Sequence, residues 1–71
     1  MNVKIRNSLT GAVVTLALPF APCTLLADLW LAGTLDAAQG REPSDRYGTA
    51  PAYACGFAGY HNAAAPEVNH G

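Results

Sequence analysis

Charge is scarce in this chain. Only 13% of its 71 residues are Asp, Glu, Lys or Arg, and Lys4 is the one lysine. No basic patch exists, so phosphate neutralisation has almost nothing to work with and nucleic acid is not expected as a partner. Cysteine is equally sparse. Cys23 and Cys55 are the only two, and no CxxC or CxxCH occurs, which disfavours thioredoxin-like redox chemistry and covalent haem attachment. Neither GxGxxG nor GxxxxGK followed by Ser or Thr is found, so a glycine-rich phosphate loop is missing too.

Bulky apolar side chains are also few. Hydrophobic residues make up 51% of the chain, but fourteen of them are alanine. Beyond Ala27 the large ones are Leu29, Trp30, Leu31, Leu35, Phe57, three Tyr and Val68. Full burial yields about 1.5–3 kcal/mol for each such side chain. That does not offset an ordering cost of about 1.5 kcal/mol per residue, so this part is not expected to hold a core alone.

What the chain does have is one long uncharged stretch, Leu9 to Ala27, preceded by Lys4 and Arg6 and followed by Asp28. A short basic segment ahead of the apolar run Leu9–Leu18 has the order of a secretory signal peptide, with Pro19 and Pro22 in a non-helical region before cleavage. Ala27 and Cys23 are the two candidate cleavage positions. If the stretch is retained, its length is close to the roughly 20 residues that cross a bilayer as a helix. Lys4 and Arg6 then hold the N-terminus in the cytoplasm. Both readings place the rest of the chain outside the cytoplasm, secreted or periplasmic after cleavage, or displayed from a single-pass anchor.

After the prolines, Thr24 to Gln39 has the signature of a helix: Thr24 as cap, Asp28 in an early turn, and Gly40 where a left-handed terminating residue belongs. Leu25, Leu29, Ala32 and Leu35 fall on one face. Gly33 weakens this helix by about 1 kcal/mol. Arg41 to Pro51 reads as loop. In Ala52–Gly71, Tyr53, Phe57 and Tyr60 share helical spacing with Pro51 ahead of them, but Gly56 and Gly59 interrupt it, and the stretch reads as largely disordered.

The expected architecture is therefore small and all-α: an N-terminal hydrophobic helix (signal peptide or membrane anchor) broken at the prolines, a short amphipathic helix, and a largely disordered tail. The boundaries are 1–27, 28–40, a linker at 41–51, and a tail at 52–71. No sheet beyond an isolated pairing is expected, because no segment shows sustained period-two alternation.

No catalytic, cofactor-binding or metal-ligating residues emerge. Cys55, His61, Glu67 and His70 have a spacing that matches neither paired-cysteine nor paired-histidine ligand patterns. Ser8, Ser44 and the histidines lack a rigid supporting shell for nucleophilic catalysis. Cys23 is a poor lipidation site, since Phe20, Ala21 and Pro22 depart from the lipoprotein pattern. An intrachain disulfide is not expected, and cleavage leaves Cys55 a lone thiol. The sequence thus suggests a small exported protein without enzymatic apparatus, touching membrane or export machinery through Leu9–Ala27. The alternative is a single-pass accessory subunit packed against a larger membrane protein.

Overall fold

Val3 and Ile5 alternate with Lys4 and Arg6, and a β-branched cluster follows at Val13, Val14 and Thr15. Both are strand signals, since alternation splits a segment into two faces and branched side chains suit the pleat. The computed structural model, which describes residues 1–47 and 49–64, pairs them as β1 (Asn2–Arg6) and β2 (Val13–Ala17). The pairing is antiparallel, with Val3 opposite Leu16 and Ile5 opposite Val14. Asn7 shapes the connection. Its side-chain oxygen accepts from the N–H groups of Leu9 (2.8 Å) and Thr10 (2.9 Å), and Gly11 takes the left-handed conformation at φ 79°.

Two helices complete the fold. α1 spans Leu25–Ala38 and α2 spans Pro51–Ala64. At the start of α1, the Thr24 hydroxyl oxygen accepts from the Ala27 N–H at 3.2 Å. Its end closes with paired bonds, from Gly40 N–H to the Ala37 carbonyl and from Arg41 N–H to the Asp36 carbonyl, with Gly40 at φ 74°. Thr24 and Gly40 thus perform the terminating roles that their residue types suggest. α2 begins at Pro51, whose fixed φ suits a first helical turn. Asp36 contacts Tyr53 while Trp30 contacts Gly56, so the two helices run antiparallel against each other.

The all-α expectation is corrected by the hairpin. The residues read as a basic leader and an apolar helix are two strands, and their alternating side chains explain why. Lys4, Arg6, Val13, Thr15 and Ala17 face outward, while Ile5, Leu16 and Leu18 are buried. Those three join Ala27, Trp30, Ala37, Ala38 and Tyr60 in a single core. The signal-peptide and membrane-anchor readings are corrected on the same ground, and the export inferred from them loses the feature on which it rested. Among the described residues no helix is long and apolar enough to cross a membrane. The largely disordered tail is corrected as well: α2 occupies its first two-thirds, with Tyr53 and Tyr60 each about 97% removed from solvent (3% and 2% exposed). Residues 65–71 lie outside the described residues.

Gly33 and Gly56 explain how a helix poor in large side chains packs at all. A β-carbon at Gly33 would run into the Tyr53 carbonyl and come within 2.7 Å of the Phe57 nitrogen; one at Gly56 would run into the Trp30 carbonyl. The two backbones touch where neither residue has a side chain. Close approach replaces bulk, and dispersion contacts between the helices stand in for large buried side chains.

Candidate functional site

The sequence places Leu25, Leu29, Ala32 and Leu35 on one face of α1, and such a face ordinarily packs inward. Here it does not. The buried residues of α1 are Ala27, Trp30, Gly33, Thr34, Ala37 and Ala38. Leu25 is 73% exposed and Leu35 47%, with Leu29 and Ala32 half-buried between them. Leu26, at 51%, adds to the apolar surface at the N-terminal end. The helix therefore puts its small residues inside and its leucines outside. The cause is the glycine crossing, which draws α2 so close that only Ala, Gly and Thr fit at most of the shared face. Leucines there would force the helices apart.

Two acids border this face, one exposed and one turned toward α2. Asp28 is exposed and belongs to no ion pair among the described residues. Asp36 is committed: its Oδ2 accepts from the Tyr53 hydroxyl at 2.6 Å, and its Oδ1 lies 3.8 Å from the Arg41 guanidinium. The Tyr53 oxygen also accepts from the Ser44 N–H at 2.8 Å. Burial and the hydrogen bond to Asp36 raise the Tyr53 pKa, so the phenol stays protonated and acts as a structural tie between α1, the connecting loop and α2. The Tyr47 ring stacks on it with centroids 4.6 Å apart.

Beside Tyr53 lies a half-open groove of about 390 Å³, floored by Tyr53, Phe57 and Ala58 and edged by Pro43, Asp45 and Thr49. Its one buried polar group, the Tyr53 hydroxyl, is already satisfied on both sides. It therefore offers a ligand little to recognise.

The residues weighed for chemistry are not assembled. Cys23 is an exposed free thiol in the left-handed conformation (φ 64°) within the turn before α1. Cys55 is an exposed free thiol on α2. His61 packs its ring 4.9 Å from that of Phe57. Ser8 is exposed, and Ser44 contributes its backbone rather than its hydroxyl to the Tyr53 tie. Glu67 and His70 lie outside the described residues. Among the described residues no three His, Cys, Asp or Glu side chains converge on a common point.

The leucine face was visible in the spacing, but its direction was not. The signal that competes with it is Ala27, Trp30, Thr34 and Ala37, an equally regular row of mostly small residues flanked by Gly33. Comparison with protein-family models, curated proteins and solved structures finds no match to this chain.

Proposed function

We propose that this protein is a small binding subunit without enzymatic apparatus, and that it docks onto a larger protein through the outward face of α1. The observation that carries the reading is the leucine row of α1, with Leu25 and Leu35 exposed and Leu29 half-buried between them, in a protein whose own core is short of large apolar side chains. A helix with anchors at such spacing is the form that helix-in-groove recognition takes. Leucines held on a rigid, capped helix lose little further entropy on docking, which favours their use as anchors. Asp28, exposed in the first turn beside Leu25 and in no ion pair among the described residues, favours a groove edged by a Lys or Arg. Catalysis draws less support. The perturbed phenol is occupied structurally, and the two thiols stand alone on the surface.

The test is photo-crosslinking in the native host, with a benzophenone amino acid placed at Leu29 or Leu35 and, as control, at Arg6 on the exposed sheet face. A discrete adduct formed from α1 and not from Arg6 is expected. The partner identified should then bind the purified protein, and Leu29→Lys should weaken that binding at least tenfold. Adducts that are the same from both faces, or binding indifferent to Leu29→Lys, would defeat the proposal.

A further inference from the structure

Among the described residues β1 and β2 form a sheet of two strands, so each has an open edge there. The phase of the ladder decides which backbone groups lie on those edges. The Asn7 N–H donates to the Ala12 carbonyl and the Leu18 N–H to the Met1 carbonyl, both at 2.8 Å. With the observed register, Ile5/Val14 and Val3/Leu16 are then the pairs that exchange hydrogen bonds. The N–H and C=O groups of Val13, Thr15 and Ala17 therefore point away from β1. No other main-chain or side-chain hydrogen bond among the described residues reaches them. All three residues are exposed.

We infer that β2 pairs along this edge with β2 of a second copy of the chain, antiparallel about a two-fold axis through Thr15. In that register Thr15 lies opposite Thr15 of the second copy, and Val13 opposite Ala17. The outward groups of all three residues are then used, each pair exchanging both of its bonds. The side chains brought together are neutral, because the chain carries no charge from Leu9 to Ala27. Opposed threonines, and a valine beside an alanine, are tolerated or favourable cross-strand pairs.

The edge of β1 does not offer the same fit. A two-fold axis through Lys4 would set the two Lys4 ammonium groups opposite each other and place Arg6 beside Asn2, at a cost in like-charge repulsion. Charged side chains are a common means of blocking an edge strand, and β1 has two where β2 has none. Val13–Ala17 also lacks a proline or a bulge. The association joins one five-residue strand to its copy, a contact at the small end of the range for specific interfaces, so it is weak and depends on concentration. It is independent of the α1 face, which lies on the other layer of the fold.

Sedimentation equilibrium on the full chain, from tens of micromolar to millimolar, tests this. Wild type is expected to pass from monomer toward dimer, with slowed hydrogen exchange at the Thr15 amide as concentration rises. Thr15→Pro removes an N–H that faces outward and so breaks no bond within the hairpin. It is expected to stay monomeric with unchanged circular dichroism and Trp30 fluorescence. Should that variant not fold, Thr15→Lys serves instead: it keeps the N–H, brings two ammonium groups to the axis, and is expected to weaken association at least tenfold. Leu29→Lys should leave association unaltered. A wild type monomeric at millimolar concentration, a dimeric Thr15→Pro, an unweakened Thr15→Lys, or loss of the dimer in Leu29→Lys would each overturn the inference.

Discussion

Gly56 of α2 lies against the main chain of Trp30 in α1, where an added β-carbon would come within 2.8 Å of the Trp30 carbonyl carbon. Three residues further along the same helix, Gly59 has nothing within 4 Å of that position. Replacing a helical glycine with alanine ordinarily gains about 0.5–1 kcal/mol from propensity. Gly59→Ala should therefore stabilise the protein by about that amount. Gly56→Ala must separate the helices and should destabilise it by about 1–3 kcal/mol or more, as overpacking does. Urea midpoints of the two variants, run beside wild type, give the comparison. Stabilisation by both would mean that the helices do not touch at Gly56.

Tyr53 predicts a response to alkali. Burial and its bond to Asp36 raise its folded pKa above the unfolded value of about 10. The folded state therefore holds this proton more tightly. Its contribution is complete below pH of about 10 and is lost as pH rises through the folded pKa. Thermal melts should show stability falling across that range, with a shallower fall in Tyr53→Phe. At neutral pH the same variant leaves Asp36 and the Ser44 N–H without their shared partner and should cost about 1–3 kcal/mol. A variant as stable as wild type at pH 7 would show the tie to be idle.

The hairpin should be indispensable to the helices. Leu16 and Leu18 are each 9% exposed and belong to the same core as Trp30 and Tyr60. Leu16→Ala should cost about 2–5 kcal/mol, the range for deleting a buried leucine side chain. A chain of residues 24–71, which keeps all of α1 and its Thr24 cap, should show no cooperative thermal transition by circular dichroism. Cooperative unfolding of that fragment would show that the core closes without the strands.

Asn7 joins the hairpin turn to α2, with its Nδ2 donating to the Tyr60 hydroxyl at 3.0 Å while its Oδ1 holds the turn. Asn7→Ala removes both connections. It should destabilise the protein by about 1–3 kcal/mol, mainly through the polar groups left unpaired. Asn7→Asp keeps the acceptor for the turn and replaces the bond donated to Tyr60 by one accepted from the Tyr60 hydroxyl, so it should stay closer to wild type than alanine does in a urea titration. Equal losses in the two variants would show that the side-chain oxygen at position 7 holds neither the turn nor α2.

The two faces of α1 should answer substitution in opposite ways. Leu35→Ser alters an exposed position and should change stability by no more than about 0.5 kcal/mol. Ala38→Leu adds bulk where the residue is 1% exposed and should cost about 1–3 kcal/mol. If the leucine position proved the more sensitive one, the burial pattern of this helix would be reversed.

Local chemistry written in single residues could be read directly from the sequence. Thr24 and Gly40 bound α1 because a hydroxyl can accept the orphaned N–H of a first turn and a glycine can turn left-handed at its end. The chain's scarcity of charge and of ligand-type side chains was equally plain. Pro51 and the spacing of Tyr53, Phe57 and Tyr60 offer a helix signal that Gly56 and Gly59 outweigh locally, so α2 is not legible as a helix until Gly56 is seen against the Trp30 main chain. The remainder depended on residues far apart in sequence. Lys4 and Arg6 ahead of an apolar run have the same composition in a leader as in a strand. Only pairing Val3 with Leu16 and Ile5 with Val14 turns the alternation into an inner and an outer face. The direction of the α1 leucines was likewise not local. Two regular faces competed, and the contact of Gly33 and Gly56 with the opposing backbone gave the inside to the smaller side chains. The tertiary structure decided these points because burial belongs to pairs of elements, and the partner of each element lies elsewhere in the chain.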